Sequence, residues 1–286
     1  MTNATPNRAA RLILIGATLA CLAAPSAAQV AVPSTAPSVA PNTDQDAAPA
    51  PETRTVRIPG TVVKFDLVRV PADADAPALW VARTEVTWDL YDIYLYALDV
   101  PEGEEGADAI TRPSKPYVPP DRGMGHADFP AMGMTRHAAE TFCAWLKDKT
   151  GLAARLPTPA EFERYAGAPA ERHSTEDPSP GYAWTSANSD HNTHEVATLA
   201  PNALGLCDTL GNVAEWVVTD GKPTAMGGSY LDPPDECQPD STQKQASNWN
   251  MSDPQIPKSQ WWLADCSWVG FRFVVEDQTD DHHPDE

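Results

Sequence analysis

The stretch Arg155-Leu156-Pro157-Thr158-Pro159-Ala160-Glu161-Phe162-Glu163 carries the densest structural instruction in this chain. Thr158 followed three residues later by Glu161 is a capping box: hydroxyl and carboxylate each satisfy a backbone N–H left orphaned at a helix start. Pro159 falls at the first helical position, where its missing N–H costs nothing. Phe162, Tyr165 and Ala166 then share one face, which predicts a short helix with a buried stripe. Arg155, just ahead of the cap, is placed to meet carboxylates of the core.

Upstream, Thr135 precedes a second helix whose Ala139, Phe142, Cys143 and Leu146 fall at i, i+3, i+4 and i+7, and Gly151 stops it. Before that, Thr87 caps a helix with Leu90, Tyr91, Tyr94, Leu95 and Leu98 at helical spacing. Val63, Phe65 and Leu67 alternate, and Val68 and Val70 prolong the same strand; Leu79–Val86 predicts a second strand. A Pro/Gly-rich insertion runs from Val100 to Pro130, and a loop of that length inside a domain is functional or disordered. Downstream of Gly167 the chain turns to loops and short strands rich in Trp, Asn, Gly and Pro. The mixed order predicts an α+β class with much irregular structure. No heptad or fixed-period repeat occurs, which excludes coiled coils and solenoids.

The chain ends differ in composition. Arg8 and Arg11 precede the apolar run Leu12–Ala24, and Ser26-Ala27-Ala28 offers small residues for cleavage before Gln29. Residues 1–28 therefore predict a secretory signal peptide, and no other stretch has spanning length, so no transmembrane segment is expected after cleavage. The mature protein is expected to be secreted or periplasmic. Residues 29–53 are a Pro/Ala linker too poor in large apolar groups to offset ordering entropy. Residues 54–275 form the domain, and residues 276–286, with six acids and no Lys or Arg, an acidic tail. Overall 20 Lys and Arg face 40 Asp and Glu. That excludes a non-specific nucleic-acid binder, because like charges repel. Four cysteines lie beyond residue 28, Cys143, Cys207, Cys237 and Cys266, which permits two disulfides or four buried thiols.

Six motifs occur in order: Glu85-Val86-Thr87, Arg155 to Glu163, Pro201 to Asp208 (PNALGLCD), Gly211 to Trp216 (GNVAEW), Gly227-Gly228-Ser229-Tyr230, and Val269-Gly270-Phe271-Arg272. Any one is weak, but the ordered set resembles the formylglycine-generating enzyme, or sulfatase-modifying factor, family over the whole domain. The resemblance implies that family's C-type-lectin-like fold, with little regular secondary structure. Physically the motifs have structural uses first: their glycines suit turns and close approaches, and Trp216 suits a core.

The resemblance also assigns chemistry. In the family enzyme, two cysteines shortly after the GGS strand hold Cu(I), a soft ion that prefers paired thiolates. Their positions fall here on Asp232 and Cys237, so half of the pair is missing and a copper cofactor is not expected. The groove tryptophan is Ala214 and the arginine before GGS is Met226, while the active-site serine remains as Ser229. Cys237 and Ser229 are the candidate catalytic residues. Asp208, Gly211, Val213 and Glu215 match a structural Ca²⁺ site of the family, with two carboxylates and two backbone carbonyls as the hard oxygen set calcium needs. His191 and His194, beside Asp190 and Glu195, read as a satisfied surface pair. The implied function is an exported binding or accessory protein of the cell envelope, with a protein or glycan ligand. Trp249, Trp261, Trp262 and Trp268 either offer it an aromatic surface or belong to the core. The alternative is an exported oxidase of the same family, acting through Cys237 on a protein or small molecule.

Overall fold

The computed structural model describes residues 50–101, 111–116, 118–167 and 181–277, all within one compact unit, Pro49–Glu286. The expected signal peptide, most of the linker and most of the acidic tail lie outside the described residues. In chain order the elements are β1 (Thr53–Arg57), β2 (Lys64–Val70), β3 (Leu79–Ala82), α1 (Trp88–Leu95), α2 (Arg136–Thr150), β4 (Ala154–Arg155) and α3 (Pro159–Ala166). They continue with β5 (Ala214–Val217), β6 (Thr224–Met226), β7 (Thr242–Lys244), a 3-10 turn (Ser247–Asn250), β8 (Val269–Gly270) and β9 (Val274–Glu276). A five-stranded antiparallel sheet has the order β1-β2-β3-β9-β4. A four-stranded sheet runs β7-β6-β5-β8, with β5 and β8 parallel. This α+β arrangement with few helices matches the expected class.

Strand alternation builds the core. Successive side chains point to opposite sheet faces, so Leu67, Ala82 and Val275 join the cluster under α1 and α2, while Val68, Val81 and Val274 join the one under α3. The first cluster is aromatic: Tyr91 stacks on Phe142 at 5.6 Å, and Phe142 meets Phe271 edge-on at 5.2 Å.

The helix starts follow their sequence signals with one exception. At α3 the Thr158 hydroxyl accepts from Glu161 N at 3.3 Å and the Glu161 carboxylate accepts from Thr158 N at 2.8 Å, closing the capping box. At α2 Thr135 accepts from Ala138 N, and Gly151 ends the helix in a left-handed conformation, φ 74°. At α1, however, Thr87 makes no side-chain cap; its backbone bridges to Pro130 instead. The second strand is also shorter than expected. Beyond Ala82 one further bond, from Arg83 N to Asp66 O, continues the β2 register, and Glu85, two residues on, is buried. Glu276 belongs to β9, and the Asp277 carboxylate accepts from Arg69 Nε at 2.6 Å.

Candidate functional site

The turn after β6 brings Ser229, Asp232 and Cys237 together. Gly227 and Gly228 both take positive φ, 91° and 70°. A Cβ on Gly228 would lie 2.7 Å from Cys237 Sγ, so only glycine lets the chain pass this close to the thiol. Ser229 is fully buried; its N–H and hydroxyl both donate to Asp232 Oδ2, at 2.8 and 2.7 Å. Gln243 of β7 donates to the same oxygen at 2.7 Å, and Gln243 Oε1 accepts from Trp268 Nε1 at 3.0 Å. Cys237 is fully buried, its thiol directed at Ser229 O at 3.6 Å. Burial, with Asp232 adding to it, pushes this thiol up to about 12, so it stays protonated at neutral pH.

One carboxylate oxygen committed to three donors beside one protonated thiol is a hard, occupied donor set. It does not fit Cu(I), which takes paired soft thiolates. All four described cysteines are free and buried, and burial lifts the Cys266 thiol to about 12 as well. Sequence reasoning missed Gln243 and Trp268 as Asp232's supports. They lie 11 and 36 residues downstream of Asp232, and no local pattern connects them to it.

The expected calcium residues converge elsewhere, where the two sheets meet. Gly211 has φ 72° and packs so closely that a Cβ would lie 2.2 Å from Trp184 O. Arg272 donates through Nε to Glu215 Oε1 at 3.0 Å, through Nη1 to Ala82 O at 2.8 Å, and through Nη2 to Cys207 O and Asp208 O at 2.8 and 3.0 Å. Burial would lower the Arg272 pKa; the Glu215 carboxylate outweighs it and the guanidinium stays charged. Glu85 accepts from Val213 N at 3.0 Å and Asn212 Nδ2 at 2.9 Å. Burial, reinforced by Asp208 and Glu215, pushes Glu85 well above the usual carboxylate range. Asp208 Oδ2 accepts from Ala197 N at 2.6 Å, but its Oδ1 is buried with no partner.

Among the described residues no group of three His, Cys, Asp or Glu is placed to hold a metal ion. An ion here therefore needs the backbone carbonyls of Gly211 and Val213. The residues fit calcium on that basis. Asp208 Oδ1 is an unsatisfied hard acceptor, and three buried carboxylates face one buried guanidinium, so full ionisation would leave two negative charges in excess, one of which a proton on Glu85 removes. Glu215 would share its carboxylate with Arg272.

The remaining candidates are structural. His194 stacks on Trp184 at 3.7 Å and bonds Ser189 O through Nε2 at 3.0 Å, so it is half-buried and satisfied. Trp249 and Trp261 are buried, and Trp262 and Trp268 pack against the main core. Of the two readings of these tryptophans, the core one holds for Trp249 and Trp261, while Trp262 and Trp268 are half-buried at its edge. No helix among the described residues is long and apolar enough to cross a membrane.

Comparison with known proteins agrees with this architecture. Treponema denticola variable protein 1 superposes with a TM-score of 0.55 at 20% identity, covering 80% of this chain and 100% of its own. PvdO from Pseudomonas aeruginosa gives 0.52 at 22% identity over 80% and 92%, and CarF gives 0.51 at 20% identity over 72% and 89%. At these identities they establish the fold alone. No curated relative matches the sequence. The family model of the sulfatase-modifying factor enzyme 1-like domain matches residues 41–276, reaching into the stretch expected as linker. Matched over most of its length, the chain belongs to the sulfatase-modifying factor enzyme 1-like domain family.

Proposed function

We propose that this protein is an exported binding or accessory member of its family, acting in the cell envelope, and that it does not carry out copper-dependent oxidation. The carrying observation is Asp232. Its carboxylate is held by Ser229 and Gln243 as part of the turn, and the neighbouring Cys237 is a protonated, buried thiol. One such thiol does not supply the two soft ligands that Cu(I) takes. Ser229 then serves as a structural link in the turn. Export is supported by Arg8, Arg11 and the apolar run to Ala24, and it places the domain where calcium can be abundant. Asp208, Gly211, Val213 and Glu215 would hold a calcium ion that braces the sheet junction.

The test is direct. The mature protein, with copper added, is incubated with a sulfatase-type cysteine peptide, and the product is read by mass spectrometry. The expected result is unchanged peptide. Formylglycine that appears with the wild type and vanishes in Cys237→Ser overturns the proposal and establishes the oxidase instead.

A further inference from the structure

We propose that His126, as an imidazolium, latches one wall of an apolar cleft onto α1, and that the latch loosens when the ring loses a proton. The cleft has a volume of roughly 1080 Å³ and lies between two segments. Pro119, Pro120 and Arg122 line one side; Pro254, Trp262 and Leu263 line the other. Arg122 joins the walls by donating from Nη2 to Leu263 O and Ala264 O, both at 2.9 Å. The turn that carries Arg122 is shaped by Asp121: Gly123 N donates to Asp121 Oδ1 and Met124 N to Asp121 O, each at 2.9 Å.

His126 fastens this turn from behind. Nδ1 lies 2.9 Å from Asp121 Oδ2, Nε2 lies 2.8 Å from Asp92 Oδ2 on α1, and the ring stacks on Trp88 with an interplanar angle of 7°. Ionised carboxylates only accept hydrogen bonds, so both ring nitrogens must donate, and a ring that donates from both is charged. A neutral ring would set a lone pair against one of the carboxylates. The surrounding charges favour the proton. Asp89, Asp92 and Tyr96 face the region from α1, Asp121 and Arg122 from the turn, and Asp128 from the segment that follows. Arg122 has its guanidinium on backbone carbonyls of the opposite wall.

The linkage has a definite sign. Burial lowers the His126 pKa, but Asp92 and Asp121 outweigh it, so the folded value lies above the ordinary one of about 6.5. The latch is therefore fully present below about pH 6.5 and is lost as pH rises through the folded value. Losing the proton leaves the turn held to the far wall by Arg122, with one hydrogen bond fewer between His126 and the two carboxylates and only the Trp88 stack and one remaining ring N–H to fasten the ring.

The experiment follows the His126 ring nitrogens by NMR in ¹⁵N-labelled protein as pH is raised. Both nitrogens should be protonated at pH 6.5, with a midpoint above that of a free histidine, and Asp121→Asn should lower the midpoint. In parallel, hydrogen-exchange protection of the Gly123 and Met124 amides should fall in the wild type above the midpoint. In His126→Gln it should be about tenfold or more lower at pH 6, the loss of one charge-assisted hydrogen bond, and should no longer change with pH. A neutral ring tautomer at pH 6 overturns the proposal, as does undiminished protection in a folded His126→Gln. If that variant does not fold, the wild-type titration decides alone.

Discussion

Arg272 is wholly buried, so its guanidinium has to find every partner inside the protein. It finds a carboxylate and three backbone carbonyls, from Ala82, Cys207 and Asp208. Removing one member of a buried ion pair strands the other, at a cost of about 3–5 kcal/mol. Arg272→Met should therefore lower unfolding stability by at least that much in denaturant melts. A loss below about 1 kcal/mol would mean that Glu215 is not stranded and the pair is not what holds the junction. Gly211 obeys a separate constraint at the same place. With φ 72° and Trp184 O 2.2 Å from a would-be Cβ, Gly211→Ala meets both backbone strain and a clash with main chain that cannot step aside. Little of this could be read from the residues alone. The resemblance marked Arg272, Gly211 and Glu215 as positions that matter, but a partnership across 57 residues leaves no local trace. The hold of Asp232 on Ser229 spans three residues, yet aspartates after a Gly-Gly-Ser turn have too many uses for that spacing to single it out.

At the scale of single elements the sequence was far more legible, because the signals are local. The capping box of α3 is written in four consecutive residues and forms as written. The Arg155 guanidinium adds a two-point pair to the same Glu161, at 2.7 and 2.8 Å. Thr158→Ala removes the acceptor for Glu161 N and should cost about 1 kcal/mol, within a range of roughly 0.5–2. Thr158→Ser should recover most of it, since the serine hydroxyl accepts equally well. Equal melting midpoints for Ala and Ser would show that the tertiary contacts of Arg155 and Phe162, not the cap, set the helix start. Where element reading failed, non-local partners had decided. Thr87 looked like a cap, but its backbone is drawn into a bridge with Pro130 of the insertion. Leu79–Val86 reads as one strand, but the strand ends at Ala82 with one more in-register bond at Arg83, and the residues after it bring Glu85 to Asn212 and Val213. The tryptophans of the C-terminal segment read equally as surface or core, because loop sequence has no period that distinguishes inside from outside.

For the whole molecule, the buried junction is where cooperativity concentrates. Arg272 lies between β8 of one sheet and β9 of the other, it bonds β3 through Ala82 O, and Glu215 belongs to β5. An ion at Asp208 Oδ1 would act on both sheets at once, and on a chain whose acids outnumber its bases by 40 to 20. Of the two excess negative charges that full ionisation would bury, Glu85 takes up one as a proton, and the other opposes folding unless a proton or a cation neutralises it. A ligand that binds only the folded state stabilises it by mass action, about 2.7 kcal/mol when its concentration is 100 times Kd. Extracellular calcium modules have Kd values of about 10⁻⁴–10⁻³ M, so about 10 mM calcium approaches that condition. In a domain of this size, with about 2–4 °C per kcal/mol, Tm should rise by about 5–10 °C between chelator and saturating calcium. Magnesium should do much less, since it demands octahedral geometry and surrenders its waters reluctantly. Asp208→Ala should abolish the calcium response while relieving part of the charge repulsion, so its Tm in chelator should fall less than the loss of the Ala197 hydrogen bond alone implies. An identical Tm for the wild type in calcium and in chelator rules the ion out. The excess charge at the junction must then be neutralised by protons, and Glu85, lifted well above its ordinary range, is the group that carries one.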